Sequence, residues 1–395
     1  MAVESKNQKI FWLHVARLRS TTNVVTVRSL KRVVNALKGK NTLHASPAKE
    51  PTNKVCTSRL FKNRKEIDMK TFNGKAIYNP SGKAKEYSYW ACNFYKGCSN
   101  GCTYCYLKKG VLAHAMGGDK PELKACFKDE EHALQVFEKE LLQNIDELRK
   151  HGLFFTFTSD PMLHETVYLT MMALGISIKY DIPVKILTKK ADFFDYAIFQ
   201  AADLFNVDAD LRKQIAFGFT LTGHDELEPG ASTNTERIAA MKVLHEAGFK
   251  TFASIEPIIY LYDSYDMIRQ TLGFCDLYKI GLLSGGKYDV ETLKLFVETI
   301  PAKAAVYNAK IYFKDSLLKY AKINRDDLTG NCVSQKYNMF TGLGECLFEC
   351  LGCGEEFDIE EMTEDAGGNM FCPQCWKELA PAMQAEYEEL KADEK

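Results

Sequence analysis

Asn93-Phe-Tyr-Lys-Gly-Cys-Ser-Asn-Gly-Cys-Thr-Tyr-Cys-Tyr106 carries three cysteines, Cys98, Cys102 and Cys105, at C-x3-C-x2-C spacing. Thiolates packed this closely on one loop suit a metal cluster, with a zinc knuckle or unrelated surface cysteines as the alternative. A cubane iron–sulfur cluster has four irons, usually held by four thiolates, so three leave one iron open to another ligand. Catalytic metal sites keep an open position, whereas structural sites close it. An apolar run, Tyr87-Ser-Tyr-Trp-Ala91, leads into the loop and reads as a strand, which sets the cysteines at that strand's C-terminal end.

Outward from this loop, strand-like and helix-like segments alternate. Tyr87–Tyr95, Leu153–Thr158, Pro183–Thr188, Ile215–Thr222, Thr251–Glu256 and Leu277–Leu283 are short, rich in β-branched and aromatic residues, and bounded by turn residues. Between them, Glu130–Lys150 repeats apolar residues at three- and four-residue spacing and stops before Gly152. Thr166–Lys179, Asp263–Leu272 and Val290–Thr299 read as further helices. Asn234–Ala247 follows Thr233, with Glu236 three residues on, a capping-box pattern. Strands alternating with helices imply parallel pairing and an α/β fold. Six units predict a partial (β/α)6 TIM-like barrel, with Lys310–Phe313 and Asp315–Tyr320 as a seventh unit at its open edge.

The cysteine segment, with aromatic Tyr104 before its third cysteine, resembles the signature of the radical S-adenosylmethionine (radical SAM) superfamily, C-x3-C-x-aromatic-C after the first barrel strand. Its wording is most similar to the branch of spore photoproduct lyase-like proteins, over about residues 69 to 325. The resemblance implies a [4Fe-4S] cluster on Cys98, Cys102 and Cys105 at the C-terminal face of the strands, where barrel chemistry sits. It implies S-adenosyl-L-methionine (SAM) on the open iron, cleaved reductively to a 5′-deoxyadenosyl radical that abstracts hydrogen from an unknown substrate. A reducing donor such as flavodoxin or ferredoxin follows from that chemistry.

The resemblance also directs attention to strand ends. Tyr104 is expected near adenine. Thr158-Ser-Asp-Pro161 stands where the superfamily more often has a Gly-Gly-Glu turn, so Ser159 and Asp160 are expected at the SAM amino group. That departure leaves open the alternative that Asp160 caps the following helix. Lys189 suits the SAM carboxylate as a flexible point charge, and Thr220 or Thr222 the ribose. Ser254 and Glu256 face one side by strand alternation and are expected to meet SAM or substrate, while Gly281 offers close backbone approach. His164 and His224 are candidate substrate contacts. Cys92 and Cys126 are candidate hydrogen donors, set against the simpler role of buried inert thiols. No catalytic residue is assigned.

A second signal lies near the C-terminus. Cys350-x2-Cys353 and Cys372-x2-Cys375, eighteen residues apart, match four-cysteine zinc ribbons. Four ligands close the shell, and in so short a module metal binding supplies folding energy. A rubredoxin-like iron site is the alternative, and Cys346 is a fifth thiol nearby.

Composition sets the frame. The chain has 395 residues, 46% of them hydrophobic, and a net charge of −1, which gives no global argument for nucleic acid or an anionic membrane. Charge is uneven: residues 1 to 55 hold eleven Lys/Arg and two acids, and residues 355 to 395 hold thirteen acids and three Lys. Thirteen cysteines, an odd number in metal-ligand spacings, argue for a reducing compartment; with no signal peptide or spanning segment, a cytoplasmic protein without membrane partners is expected. The expected layout is a basic extension over 1–68, the barrel over 69–335, the zinc-ribbon-like module over 346–378 and an acidic tail over 379–395. For the extension, nucleic-acid binding, a transit peptide, a solubilising arm and an upstream start artefact stay open, the last two favoured. Two functional alternatives stand beside a radical SAM enzyme of unknown substrate: a DNA photoproduct lyase-like repair enzyme, and a non-catalytic Fe–S/zinc protein that binds nucleic acid.

Overall fold

The computed structural model describes residues 71–378 apart from 111, 203, 329, 342–346, 351, 354–355, 359–361 and 365–369. The expected basic extension, the acidic tail and Cys346 lie outside the described residues.

Eight strands form one sheet in chain order: β1 (Ile77–Tyr78), β2 (Ala91–Cys92), β3 (Leu153–Phe155), β4 (Val184–Thr188), β5 (Ile215–Thr220), β6 (Lys250–Ile258), β7 (Leu277–Leu282) and β8 (Lys310–Phe313). Neighbours from β2 to β8 pair in parallel, and β1 adds to β2 antiparallel. The crossovers are α1 (Glu130–Gln143), α2 (Ile145–His151), α3 (Val167–Lys179), α4 (Asn234–Glu246), α5 (Leu261–Thr271) and α6 (Val290–Ala305), with α7 (Asp315–Ala321) after β8. Two short helices, Ala197–Ala202 and Ala209–Lys213, fill the passage from β4 to β5.

Both faces of the sheet are buried, as parallel strands require. Alternation sends Ile186, Phe217, Ile255 and Ile280 outward to a core shared with helix residues such as Phe137, Leu174, Met241 and Val297. The residues between them face inward: Ala91, Phe154, Ala216, Phe252, Leu277 and Tyr312 form a separate inner cluster. Ala91 on β2 and Tyr312 on β8 meet in that cluster, so the sheet curls strongly, although no hydrogen bonds close it among the described residues. Val333, Met339 and Phe340 fill the inner cluster near the strands' N-terminal ends, with the Val333 N–H on the Ile311 carbonyl at 2.8 Å.

Two elements differ from expectation. The first strand is reduced from Tyr87–Tyr95 to Ala91–Cys92, and Tyr95–Lys96 instead pairs with Glu122–Leu123 in a separate ribbon. Tyr87 leaves the sheet plane because its hydroxyl reaches Ser254 Oγ at 2.6 Å and Glu256 Oε2 at 2.8 Å. The long helix breaks at Asn144, whose side chain bonds the Glu140 carbonyl at 2.8 Å. Buried Glu140 then ties α1 to the sheet edge by accepting from the backbone N–H groups of Lys75, Ala76 and Ile77 at 2.7–3.0 Å.

Toward the C-terminus, Leu347–Glu349 pairs with Glu356–Asp358, and Thr363–Glu364 with Met370–Phe371. Cys350, Phe371 and Cys372 form a small core of their own with Phe357, Met362 and Trp376. Among the described residues no helix is long and apolar enough to cross a membrane.

Candidate functional site

The cysteine loop leaves β2 at the C-terminal end of the parallel strands. Asn93 locks it to the end of β3: its Oδ1 accepts the Phe157 N–H at 2.9 Å, and its amide donates to the Tyr78 hydroxyl at 2.7 Å. Thr158 Oγ1 donates to the Tyr95 carbonyl at 2.5 Å. Cys102 is buried and Cys98 and Cys105 are half-buried. Burial pushes the Cys98 thiol up to about 12, with Asp160 adding to the effect and the Lys189 ammonium opposing it. The Cys102 thiol is also raised by burial and also opposed by Lys189. A metal at these thiols would displace their protons, since the thiolate is the ligand.

Asp160 is buried and spends both oxygens on protein. Oδ1 accepts from the Met162 N–H at 3.0 Å and Thr188 Oγ1 at 2.6 Å; Oδ2 accepts from Asn100 Nδ2 and the Lys189 N–H, each at 2.8 Å. It therefore closes its own turn and fastens the cysteine loop to the end of β4; it does not cap the following helix, which begins at Val167 with Thr166 at its N-cap. Among the described residues two polar atoms beside it have no partner: Asn100 Oδ1 and Ser159 Oγ are both buried and unbonded.

On the other side, the segment after β5 clasps the loop. The Thr103 N–H donates to the Leu227 carbonyl at 3.0 Å, and the Gly230 N–H to the Asn100 carbonyl at 2.9 Å. A side chain at Gly230 would bring its Cβ within 2.2 Å of the Ser99 carbonyl oxygen, so only glycine permits this approach. Glu228, wholly enclosed here, accepts from the Tyr104 hydroxyl with one oxygen and from Arg237 with the other. Thr222 Oγ1 lies 3.4 Å from the same carboxylate. The Lys189 ammonium stands 5.7 Å from the centre of the Tyr104 ring.

A second polar group lines the inside of the sheet. Thr220, Ser254, Lys279 and Tyr312 are cross-strand neighbours in one row on β5 to β8. One turn of register higher, Lys314 donates to Glu256 Oε2 at 2.8 Å and to the Lys83 carbonyl at 3.0 Å. Glu86 Oε1 accepts from the Tyr312 hydroxyl at 3.1 Å and the Asp315 N–H at 2.8 Å. Burial, then the like charges of Lys185 and Lys314, pull Lys279 well below the ordinary lysine range. The space beside Gly281 is filled: a Cβ there would lie 2.8 Å from both Glu256 Oε1 and Lys314 Cδ. Gly281 thus makes room for an ion pair within the protein.

The sequence-based candidates consequently fall into two groups. Tyr104, Ser159, Asp160, Lys189 and Thr222 gather at the cysteine loop, and Thr220, Ser254, Glu256 and Gly281 line the inner wall. His224 lies between two carboxylates, with Nδ1 2.8 Å from Glu226 and Nε2 3.0 Å from Asp263. His164 is exposed against the edge of Tyr196. Cys92 is buried on β2, its thiol held far above the ordinary range by burial, and Cys126 is half-buried. Glu228, Arg237, Tyr87 and Lys314 escaped the sequence reading.

The four C-terminal thiols converge. Cys350, Cys353, Cys372 and Cys375 place their sulfurs within 4.8 Å of one another, an arrangement that can hold a metal ion. The Cys372 N–H donates to Cys350 Sγ at 3.2 Å, and the Cys375 N–H to Cys372 Sγ at 3.4 Å. Such N–H···S bonds would stabilise the negative charge of a metal-bound thiolate.

No family model matches the sequence, and no curated protein does. Among solved structures, the chain shows similarity to Streptococcus suis SuiB bound to S-adenosylmethionine, at 13% identity and TM-score 0.40 over 58% of this chain and 51% of that one. SuiB itself follows at 15% identity and 0.40, over 57% and 49%. SuiB bound to precursor peptide SuiA gives 14% and 0.39, over 61% and 52%. The chain spans about half the length of these structures. At such values the likeness assigns no activity.

Proposed function

We propose that this chain is a radical SAM enzyme, with a [4Fe-4S] cluster on Cys98, Cys102 and Cys105 and SAM on the open iron. The observation that carries the reading is the seat of the loop. Three thiols of C-x3-C-x2-C spacing stand at the C-terminal end of a curled parallel sheet, clamped on one side by Asp160 and on the other by Glu228. The donor set fits the group: three soft ligands, one cationic Lys189 nearby, and two buried polar atoms left unbonded by protein, Asn100 Oδ1 and Ser159 Oγ. When bound, the reduced cluster supplies one electron that cleaves SAM to methionine and a 5′-deoxyadenosyl radical able to abstract hydrogen from a substrate.

This chain's residues supply position and field. Lys189 offers a positive charge to the cofactor carboxylate, Ser159 an unspent hydroxyl, and Thr220 an inward strand-end position. Asp160, Thr222, Glu256 and Gly281 support the walls, since their polar atoms or space are already used within the protein. Substrate enters at the same mouth, and a reduced flavodoxin or ferredoxin is the class of donor required. The four C-terminal thiols hold zinc in a closed, structural site.

Anaerobic reconstitution with iron and sulfide, then incubation with SAM and a reductant, tests the reading. Wild type is expected to release 5′-deoxyadenosine, and Cys102→Ala to release none. A wild-type protein loaded with iron and sulfide that leaves SAM intact overturns it.

A further inference from the structure

We propose that Glu228 is a positioning residue for the cysteine loop, acting through the Tyr104 hydroxyl as half of a charge-neutral buried unit with Arg237. The identity of the group held by the loop rests on the radical SAM reading; the strut itself does not. Glu228 is 2% exposed and Arg237 0% exposed. Arg237 is fixed at three points: Nε donates to the Ser232 carbonyl at 2.8 Å, Nη1 to the Thr220 carbonyl at 2.5 Å, and Nη2 to Glu228. It is therefore anchored to the end of β5 and the start of α4, and it aims Glu228 at the loop.

Tyr104 lies between Cys102 and Cys105, so fixing its hydroxyl fixes the spacing of the two sulfurs that flank it. The two backbone hydrogen bonds at Thr103 and Gly230 run alongside, and Glu228 is the side chain that completes the bridge. The unit also has an electrostatic reason. A lone buried carboxylate beside thiolates is repelled by them, and an uncompensated guanidinium would attract them; the pair cancels both fields.

The test compares full-length wild type with Glu228→Gln, Tyr104→Phe and the double variant. Tyr104→Phe removes one oxygen and so guards against a variant that fails to fold. In metal-free, reduced protein, iodoacetamide labelling resolved by peptide is expected to be about fivefold faster at Cys102 and Cys105 in either single variant, the effect of losing one buried hydrogen bond. Cys98 and the four C-terminal cysteines are expected to keep their wild-type rates. The double variant is expected to match the faster single variant, because both remove one interaction. In reconstituted protein, Glu228→Gln is expected to shift the cluster's midpoint potential upward, since the cation left behind favours the reduced state, while Tyr104→Phe shifts it less. Labelling within twofold of wild type at both cysteines, or equal acceleration at Cys92 and Cys275 that reports general loosening, overturns the proposal. Failure of wild type to take up a cluster would sink the functional reading, and the labelling result would still decide the strut.

Discussion

Lys185 stands on the inner face of β4, in one cross-strand row with Ala91, Phe154 and Ala216. It is 9% exposed, and its ammonium lies 6.0 Å from the centre of the Phe340 ring. Burial alone pulls it down from 10.5 to about 8. The sign follows from linkage. Between pH 8 and 10.5 the unfolded chain binds a proton that the folded chain has released, so stability rises with pH through that window. Below pH 8 the cost is fully present, at up to about 3 kcal/mol, and above 10.5 it is gone. Lys185→Met is therefore expected to be more stable than wild type at pH 7, with the gap closing as pH rises past 8. Urea denaturation of both proteins at pH 7, 8, 9 and 10 checks it; a gap that is absent or independent of pH would refute the assignment. Lys314 is the contrasting case, buried yet held by Glu256 and Glu86 at 2.8 and 3.5 Å. A cation so paired is stabilised in place, whereas Lys185 is tolerated.

At the level of elements, what could be read from the chain was what neighbouring residues decide. The Thr233–Glu236 capping box forms as expected, with each side chain bonded to the other's backbone N–H. Thr233→Ala is expected to cost about 1 kcal/mol in denaturant unfolding, and an unchanged midpoint would mean that α4 is held by packing alone. The alternation of strands and helices was legible for the same local reason. The length of the first strand was not, because Tyr87 answers to Ser254 and Glu256, more than 160 positions away in sequence. The clasp on the cysteine loop was missed because Asp225, Glu226 and Glu228 look like a solvated acidic turn. One signal was available. Arg237 falls on the stripe of α4 that buries Asn234, Met241 and Leu244. An arginine on a core stripe demands a buried carboxylate, and Glu228 is the nearest acid in sequence on the loop side that is itself enclosed. The Asn144 break in the first long helix likewise depends on a side-chain bond that periodicity does not encode.

Over the whole molecule, two thiol sites differ in kind. The C-terminal four converge on one point with their own small core, the arrangement of a closed ion site. The three on the loop are offered at the rim of a curled sheet whose inner wall is polar toward its C-terminal end and, Lys185 apart, apolar at its N-terminal end. That polarity is why chemistry is expected at the rim: the far end is filled by Val333, Met339 and Phe340, and the rim holds two unspent polar atoms, Asn100 Oδ1 and Ser159 Oγ. Under the function proposed above, three sulfurs leave one corner of a cubane free for SAM. Electron paramagnetic resonance of the anaerobically reconstituted, reduced protein, recorded with and without SAM, addresses that corner directly. A cubane signal whose g-values change when SAM is added is expected. A cubane signal indifferent to SAM, or a loop that holds only zinc, would contradict it.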